Sequence, residues 1–253
     1  MSVDRIASSG FEAGAEAYAR ARPGYPPAAV AWLVARLRIG RGSRVVDLGA
    51  GTGKLTELLV STGAHLIAVE PVAAMRERLA ALLPAVATVA ASAEAIPLAS
   101  GSARAVVAAQ AFHWFDAPRA LAEIHRVLEP SGRLGLVWNA RDTSVDWVRE
   151  MAAIVDEFGD VIRRHETGEW RRAFPAPGFG PLEERSFPNV QPIAPEGIVD
   201  RVASTSFIAR LPDDERAKVL ERIETLVESH PETTGREVIE FPHTTRVSVC
   251  ERT

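Results

Sequence analysis

Eleven residues, Val45-Val46-Asp47-Leu48-Gly49-Ala50-Gly51-Thr52-Gly53-Lys54-Leu55, limit what this chain can fold into more than any other stretch. A β-branched run ends in three glycines spaced two apart and passes straight into a helical pattern with Leu55, Leu58 and Leu59 on one face. Glycine tolerates a left-handed backbone and lets another group approach the main chain closely, so the run predicts a strand, a tight loop and a helix in that order. The same alternation continues downstream. Nearly continuous apolar runs occur at Arg44–Leu48, His65–Glu70, Ala85–Ala91, Ala105–Gln110 and Arg133–Trp138. Strands covered on both faces read this way. Amphipathic helices are predicted between them, over Lys54–Thr62, from Pro71 to about Leu83, and after an Asp116 cap as far as Pro130-Ser131-Gly132. Strict alternation implies right-handed βαβ units and a doubly wound, mostly parallel α/β sheet.

Outside this core the pattern changes. Residues 1–40 carry aromatic and Arg/Pro-rich clusters and then a helix around Pro27–Leu37, and they read as a cap or lid. After Trp138, helices are expected over 145–165, Pro195–Arg210 and Asp213–Ser229, and strands over Leu182–Val190 and Glu237–Glu251. These form a helical cap and an antiparallel C-terminal strand pair. A length of 253 residues, 47% hydrophobic and 25% charged, is read as one folded domain of three regions, 1–40, 41–142 and 143–253. Net charge is −4, which argues against a nucleic-acid partner. A lone Cys250 excludes a disulfide framework within the chain, and no apolar run is long enough for a membrane helix or a secretory signal. A cytoplasmic location is expected. The histidines show no metal-ligand spacing, so no metal is expected. Oligomeric state is not legible.

Spacing selects the ligand of the glycine loop. A dinucleotide fingerprint would need glycine at 54, where Lys54 stands; a phosphate-binding P-loop is broken by Leu48 and Leu55. The loop instead reads D-x-G-x-G-x-G, and Glu70 ends the second strand, placed to accept both hydroxyls of a ribose. The unit predicts an adenosine-containing ligand at the carboxyl edge of the sheet. Asp47 beside the loop suits a cationic ligand better than a phosphate.

At these residues the chain resembles the class I S-adenosylmethionine-dependent methyltransferases. Ala91-Ser92-Ala93-Glu94-Ala95-Ile96-Pro97-Leu98 is similar to the family's adenine-contacting segment after the third strand, with Ser92 where aspartate is common. Arg104 replaces the aspartate that usually opens the fourth strand. Gln110-Ala111-Phe112-His113-Trp114-Phe115-Asp116, the N-terminal FEAGAEAYARARPGYP and Trp138-Asn139-Ala140-Arg141-Asp142 resemble a small-molecule subgroup similar to trans-aconitate methyltransferases. The resemblance implies a Rossmann-like sheet with the first strand beside the fourth, S-adenosylmethionine as cofactor and a small-molecule methyl acceptor. It implies cofactor contacts from Asp47, Gly49, Ala50, Gly51, Gly53, Glu70, Ser92, Ala93, Glu94 and Gln110, with Tyr18 and Arg22 closing over the ligand. His113 is the candidate base, since an imidazole titrating near ~6.5 suits proton removal; holding the acceptor in place is its other reading. Trp114 and Phe115 either face the sulfonium or pack in the core. Arg141 and Arg201 are read first as solvated charges, and second as a grip on an acidic acceptor. A cofactor-binding protein without catalysis and an NAD-dependent oxidoreductase are the alternatives.

Overall fold

A computed structural model describes residues 22–158, 168–205 and 207–253. Seven strands form one sheet: β1 (Arg44–Leu48), β2 (His65–Val69), β3 (Ala87–Val89), β4 (Ala103–Ala109), β5 (Leu128–Arg141), β6 (Glu183–Ile193) and β7 (Ile239–Glu251). Their order is β3-β2-β1-β4-β5-β7-β6. The first five run parallel, and β7 pairs antiparallel with both β5 and β6. The doubly wound sheet and the antiparallel C-terminal pair are therefore as expected. The strand order reverses between β1 and β4, and loops on either side of such a reversal leave a crevice at the carboxyl edge.

Helices α1 (Pro27–Leu37), α2 (Lys54–Val60), α3 (Ala73–Leu82), α4 (Ala117–Val127), α5 (Asp146–Asp156), α6 (Pro195–Ala203) and α7 (Asp213–Ser229) cover the sheet and its edge. One apolar cluster places Leu33, Leu37, Leu55 and Leu59 against Val45, Val107 and Val137. Across the sheet, Val46, Leu48, Val106, Leu134 and Leu136 pack with Leu121, Ile124 and Val127 of α4. Strands with apolar cover on both faces explain why β1 and β4 read as unbroken apolar runs. A third cluster joins Trp147, Met151, Ile198, Val219 and Ile223 to Ile239 and Phe241 at the far end of β7, so the helices after β5 pack onto the sheet's margin.

Some boundaries differ from the sequence reading. β3 is shorter than Ala85–Ala91, because it lies at the sheet edge and pairs only with β2 over three residues. α4 ends at Val127, before the Pro130-Ser131-Gly132 stop the sequence suggested, and β5 begins at Leu128 and runs through those residues with a register shift against β4. α6 ends at Ala203, short of Arg210. Arg104 bonds Glu129 at 2.7 Å between neighbouring strands β4 and β5, which gives the missing aspartate's position a structural role. No helix among the described residues is long and apolar enough to cross a membrane.

Candidate functional site

The glycine loop leaves β1 and is fastened to β2. Gly49 and Ala50 both donate to the Val69 carbonyl, at 2.8 and 3.3 Å, and Gly53 donates to Ala50 at 2.9 Å. All three glycines have positive φ, but each for its own reason. A Cβ on Gly49 would lie 2.6 Å from the Ala111 Cβ, and one on Gly53 2.9 Å from Leu79 Cγ. These two let the chain pack against itself. Among the described residues, a Cβ on Gly51 would meet only Met75 Sδ, at 3.8 Å, so none of them fills the surroundings of Gly51.

Glu70, the residue after β2, reaches directly into this turn. Its Oε2 accepts from the Gly51 N–H at 2.8 Å and its Oε1 from the Val72 N–H at 2.8 Å, which also satisfies a donor at the entry to α3. Burial raises its carboxyl above the ordinary carboxylate value, against the pull of those two N–H groups and Arg76. Asp47 sits one strand away, 3% exposed. Its Oδ2 accepts from the Thr56 hydroxyl at 2.6 Å, whereas Oδ1 is buried without a hydrogen-bond partner among the described residues. Burial pushes Asp47 up to about 7; Thr56 opposes that and the Glu70 charge adds to it. A buried acceptor with no donor costs free energy, roughly 1–3 kcal/mol, unless a ligand satisfies it. α2 opens at Gly53 with no side-chain cap, so donors of its first turn also face the loop.

The loop after β4 closes the other side. Gln110 holds a left-handed φ of 56°, uncommon for a side chain of its size. Its N–H bonds Val137 at 2.8 Å and its side chain the Asn139 carbonyl at 3.3 Å. Phe112 is buried and meets Phe115 edge-on at 5.7 Å, so both belong to the core; Phe115 also lines the approach to Gly49. His113 lies in the short 3-10 turn Phe112–Trp114, its ring 5.0 Å from that of Trp114. The segment after β3 is bonded to this loop by Glu94, whose Oε1 accepts from the Asp116 N–H at 2.9 Å. Ala93 is buried in the core and Ser92 is half-buried. Glu94 therefore latches the two loops together, and Ala93 packs, whatever each adds to ligand contact. Ile96 and Leu98 are held from α4 by Glu123 and Arg126.

Tyr18 lies outside the described residues. Arg22 is within them, and its carbonyl accepts from Lys54 Nζ at 2.9 Å, so the chain at residue 22 is tied to the residue that follows the glycine loop. The next tie is Asn139, whose importance was not visible in the sequence. Its Nδ2 donates to the Gly24 carbonyl at 2.9 Å, and its Oδ1 accepts from Thr245 at 2.5 Å and Asn189 at 3.1 Å. One buried amide thus joins residue 24 to β5, β6 and β7. Its sequence signals were a polar residue following an apolar run and a place in the Trp138–Asp142 segment, and neither pointed to this role.

Arg141 and Arg201 are not the solvated charges first expected. Arg201 is 9% exposed and hydrogen-bonds His243 Nε2 at 3.2 Å, and Arg141 sits opposite His243 in the β5–β7 register. Burial and the nearby charges of Arg201, Arg141 and Arg22 bring His243 down to about 3, against the pull of its bond to Phe241. Among the described residues, no cluster of three or more His, Cys, Asp or Glu side chains could hold a metal.

A methyltransferase domain family matches residues 46–136. An uncharacterized methyltransferase of Mycobacterium tuberculosis is 40% identical over 248 residues, covering 98% of this chain and 96% of the relative. In fold, the chain is similar to a type II methyltransferase structure, so assigned, from Anaeromyxobacter dehalogenans (TM-score 0.65, 23% identical, covering 91% of this chain and 97% of the other). It is also similar to the Haemonchus contortus phosphoethanolamine N-methyltransferase 2, solved with phosphomonomethylethanolamine and S-adenosylhomocysteine (TM-score 0.58, 14% identical, covering 100% of this chain and 60% of the other).

Proposed function

The chain belongs to the methyltransferase family, and on that premise we propose that it transfers a methyl group from S-adenosylmethionine to an oxygen, carboxylate or hydroxyl, of a small organic molecule. The observation that carries the cofactor assignment is the pair of acids at the glycine turn. Glu70 is locked onto Gly51, and Asp47 keeps one buried oxygen without a donor. Two carboxylates beside an open glycine suit a cationic nucleoside and repel a pyrophosphate. Bound there, S-adenosylmethionine supplies a methyl group already activated on a sulfonium.

The chain's own residues do the rest. Glu70 has lone pairs left on both oxygens for ribose hydroxyls, and Asp47 Oδ1 is the acceptor for the ligand's ammonium. The Gln110–Asp116 loop, braced by Glu94 and packed on Gly49, fixes one wall of the reaction space. Rigid alignment of donor and acceptor is the main catalytic lever, worth up to ~7–11 kcal/mol in this kind of displacement. His113 is the proton acceptor when the acceptor group is a hydroxyl; a carboxylate needs none. His113→Ala then lowers turnover of a hydroxyl substrate and leaves cofactor affinity within about twofold. An equal loss of cofactor binding would make it a structural residue instead. Arg22, whose carbonyl is held by Lys54 beside the glycine loop, is placed to border the cofactor, and on this reading the acceptor is a small molecule and not a nucleic acid or a membrane.

Calorimetric titration with S-adenosylhomocysteine and with NAD tests the assignment. The first is expected to bind and the second not; the reverse result ends this reading. The affinity should also depend on pH with a fixed sign. An aspartate raised to about 7 stabilises the free fold below its unfolded value near 3.8, and that stabilisation is lost as pH rises through 7. A ligand ammonium favours the ionised carboxylate, so binding below pH 7 must expel a proton. Affinity should therefore rise severalfold, roughly up to tenfold, from pH 6 to pH 7.5. Buffers of different ionisation enthalpy will show proton release near pH 6.5.

A further inference from the structure

The edge of the sheet opposite the glycine turn carries a basic row. Arg44 opens β1 and is level with His65, the first residue of β2. Val45 is level with Ala105 of β4, so Arg104, one residue earlier, stands beside Arg44 on its other side. Residues level with one another on parallel strands project to the same face, about 4.8 Å apart from strand to strand. His65, Arg44 and Arg104 therefore form one row across three strands. Together with Ser43, Ser102 and Glu129 they line an open cleft of about 390 Å³. Arg44 and the glycine loop lie at the two ends of β1, roughly 16 Å apart at ~3.3 Å per residue, so a small molecule in this cleft stays clear of the cofactor site.

The cleft is short of negative charge. Arg44 gives one nitrogen to the Ser102 carbonyl at 2.9 Å and makes no ion pair among the described residues. Like charges side by side on neighbouring strands repel. Glu129 answers only one of the two, through its 2.7 Å pair with Arg104. Further along the same edge, Glu251 is held below the ordinary carboxylate range by its bond to Arg133, against burial, and then by the charges of Arg133, Arg38 and Arg104. This is a positive region in a chain whose net charge is −4.

Its free groups are donors. A guanidinium has five N–H donors and no acceptor, and Arg44 and Arg104 each commit one nitrogen to protein here. Ser102 Oγ is buried with no hydrogen-bond partner among the described residues, so its hydroxyl is uncommitted. His65 is exposed at the end of the row. Forked donors on adjacent strands, with a hydroxyl beside them, suit a group whose several oxygens point in different directions, which is a phosphate. Arg104 also stands where an aspartate usually opens the fourth strand of the family this chain resembles, and an aspartate there would repel the same anion.

We propose that Arg44 and Arg104, with His65 and Ser102, bind the phosphate group of a small molecule at the amino edge of the sheet. The site does not depend on the methyl-transfer reading. The Glu129 carboxylate on its rim is an acceptor for a hydroxyl or amino group on the rest of that molecule.

The test is calorimetric titration of the full chain with glycerol 3-phosphate, inorganic phosphate and glycerol, in a phosphate-free buffer at an ionic strength fixed with sodium chloride. Saturable binding of a phosphate compound at one site per chain is expected, with a dissociation constant below ~1 mM, and no binding of glycerol. Tighter binding of the ester names phosphate esters as the ligands; equal or tighter binding of the inorganic ion names free phosphate. Saturating S-adenosylhomocysteine should leave the constant within twofold. Arg44→Gln should weaken phosphate binding at least tenfold, with S-adenosylhomocysteine affinity and the thermal melt unchanged to report that the variant folds. Arg44→Lys, a point charge without the fork, should recover part of the loss. Arg104→Gln should weaken binding to a similar extent, and it tests the second guanidinium independently. Arg172→Gln, at an exposed arginine outside the cleft, removes the same charge elsewhere and should stay within twofold. No saturable heat from either phosphate compound up to about 10 mM overturns the proposal. So does competition by S-adenosylhomocysteine, an undiminished affinity in Arg44→Gln, or an equal loss in Arg172→Gln.

Discussion

Glu70→Ala should weaken S-adenosylhomocysteine binding by ~1.5–3 kcal/mol, about 10- to 150-fold, the scale of hydrogen bonds to a charged group. Two losses contribute. The ribose loses its acceptor, and the Gly51 and Val72 N–H groups lose theirs, at 2.8 Å each, so the turn that faces the ligand loses its brace. Glu70→Gln separates the two. The amide keeps the shape and one acceptor oxygen, but its NH2 then faces a backbone N–H, donor against donor. It should recover part of the affinity and not all. Folding stability should move less than affinity, because removing a 4% exposed carboxylate also removes its desolvation penalty. A dissociation constant unchanged in Glu70→Ala would place the ribose elsewhere. Calorimetry gives the affinity, and a thermal melt gives the stability.

How far the sequence reaches can be argued from the same residues. β1, α1 and α7 begin and end where composition and periodicity put them, because each is decided locally: a β-branched run, a proline at a helix start, an acidic first turn. The glycine loop was legible for the same reason, since its ligand chemistry lies within a short span of chain. Long-range pairing was not legible. Nothing near Arg201 in the chain distinguishes it from the many other arginines; its burial is set by His243 and Phe241, some forty residues later. Asn139 likewise gains its role from Gly24, Asn189 and Thr245, which the fold alone assembles. Glu94 shows the same limit in another form. Its place in a segment similar to an adenine-contacting motif did not reveal that its carboxylate also accepts from the Asp116 backbone and ties two loops together.

Substitution of the loop glycines turns this distinction into numbers. Gly49→Ala should be the most damaging single methyl in the core, lowering stability by roughly 2–5 kcal/mol. A left-handed φ of 64° costs an alanine ~1–2 kcal/mol, and a Cβ 2.6 Å from the Ala111 Cβ forces overpacking worth ~1–3 kcal/mol more. Neither atom can swing away, since both are fixed to backbone. At about 2–4 °C per kcal/mol for a chain near this size, the melting temperature should fall by ~5–15 °C. Gly101→Ala supplies the control, with a φ of 63° and nothing within 4 Å of the new methyl. It should show the backbone cost alone. Gly51→Ala has nearly the same backbone, φ 56°, and one ordinary contact at 3.8 Å, so its melt should resemble the Gly101 control and not Gly49→Ala. Its cofactor affinity should fall all the same, because the methyl enters the space the described residues leave open beside Glu70. Gly51→Ala with undiminished affinity would mean that this opening is not where the nucleoside lies, however well Asp47 and Glu70 are placed to receive it.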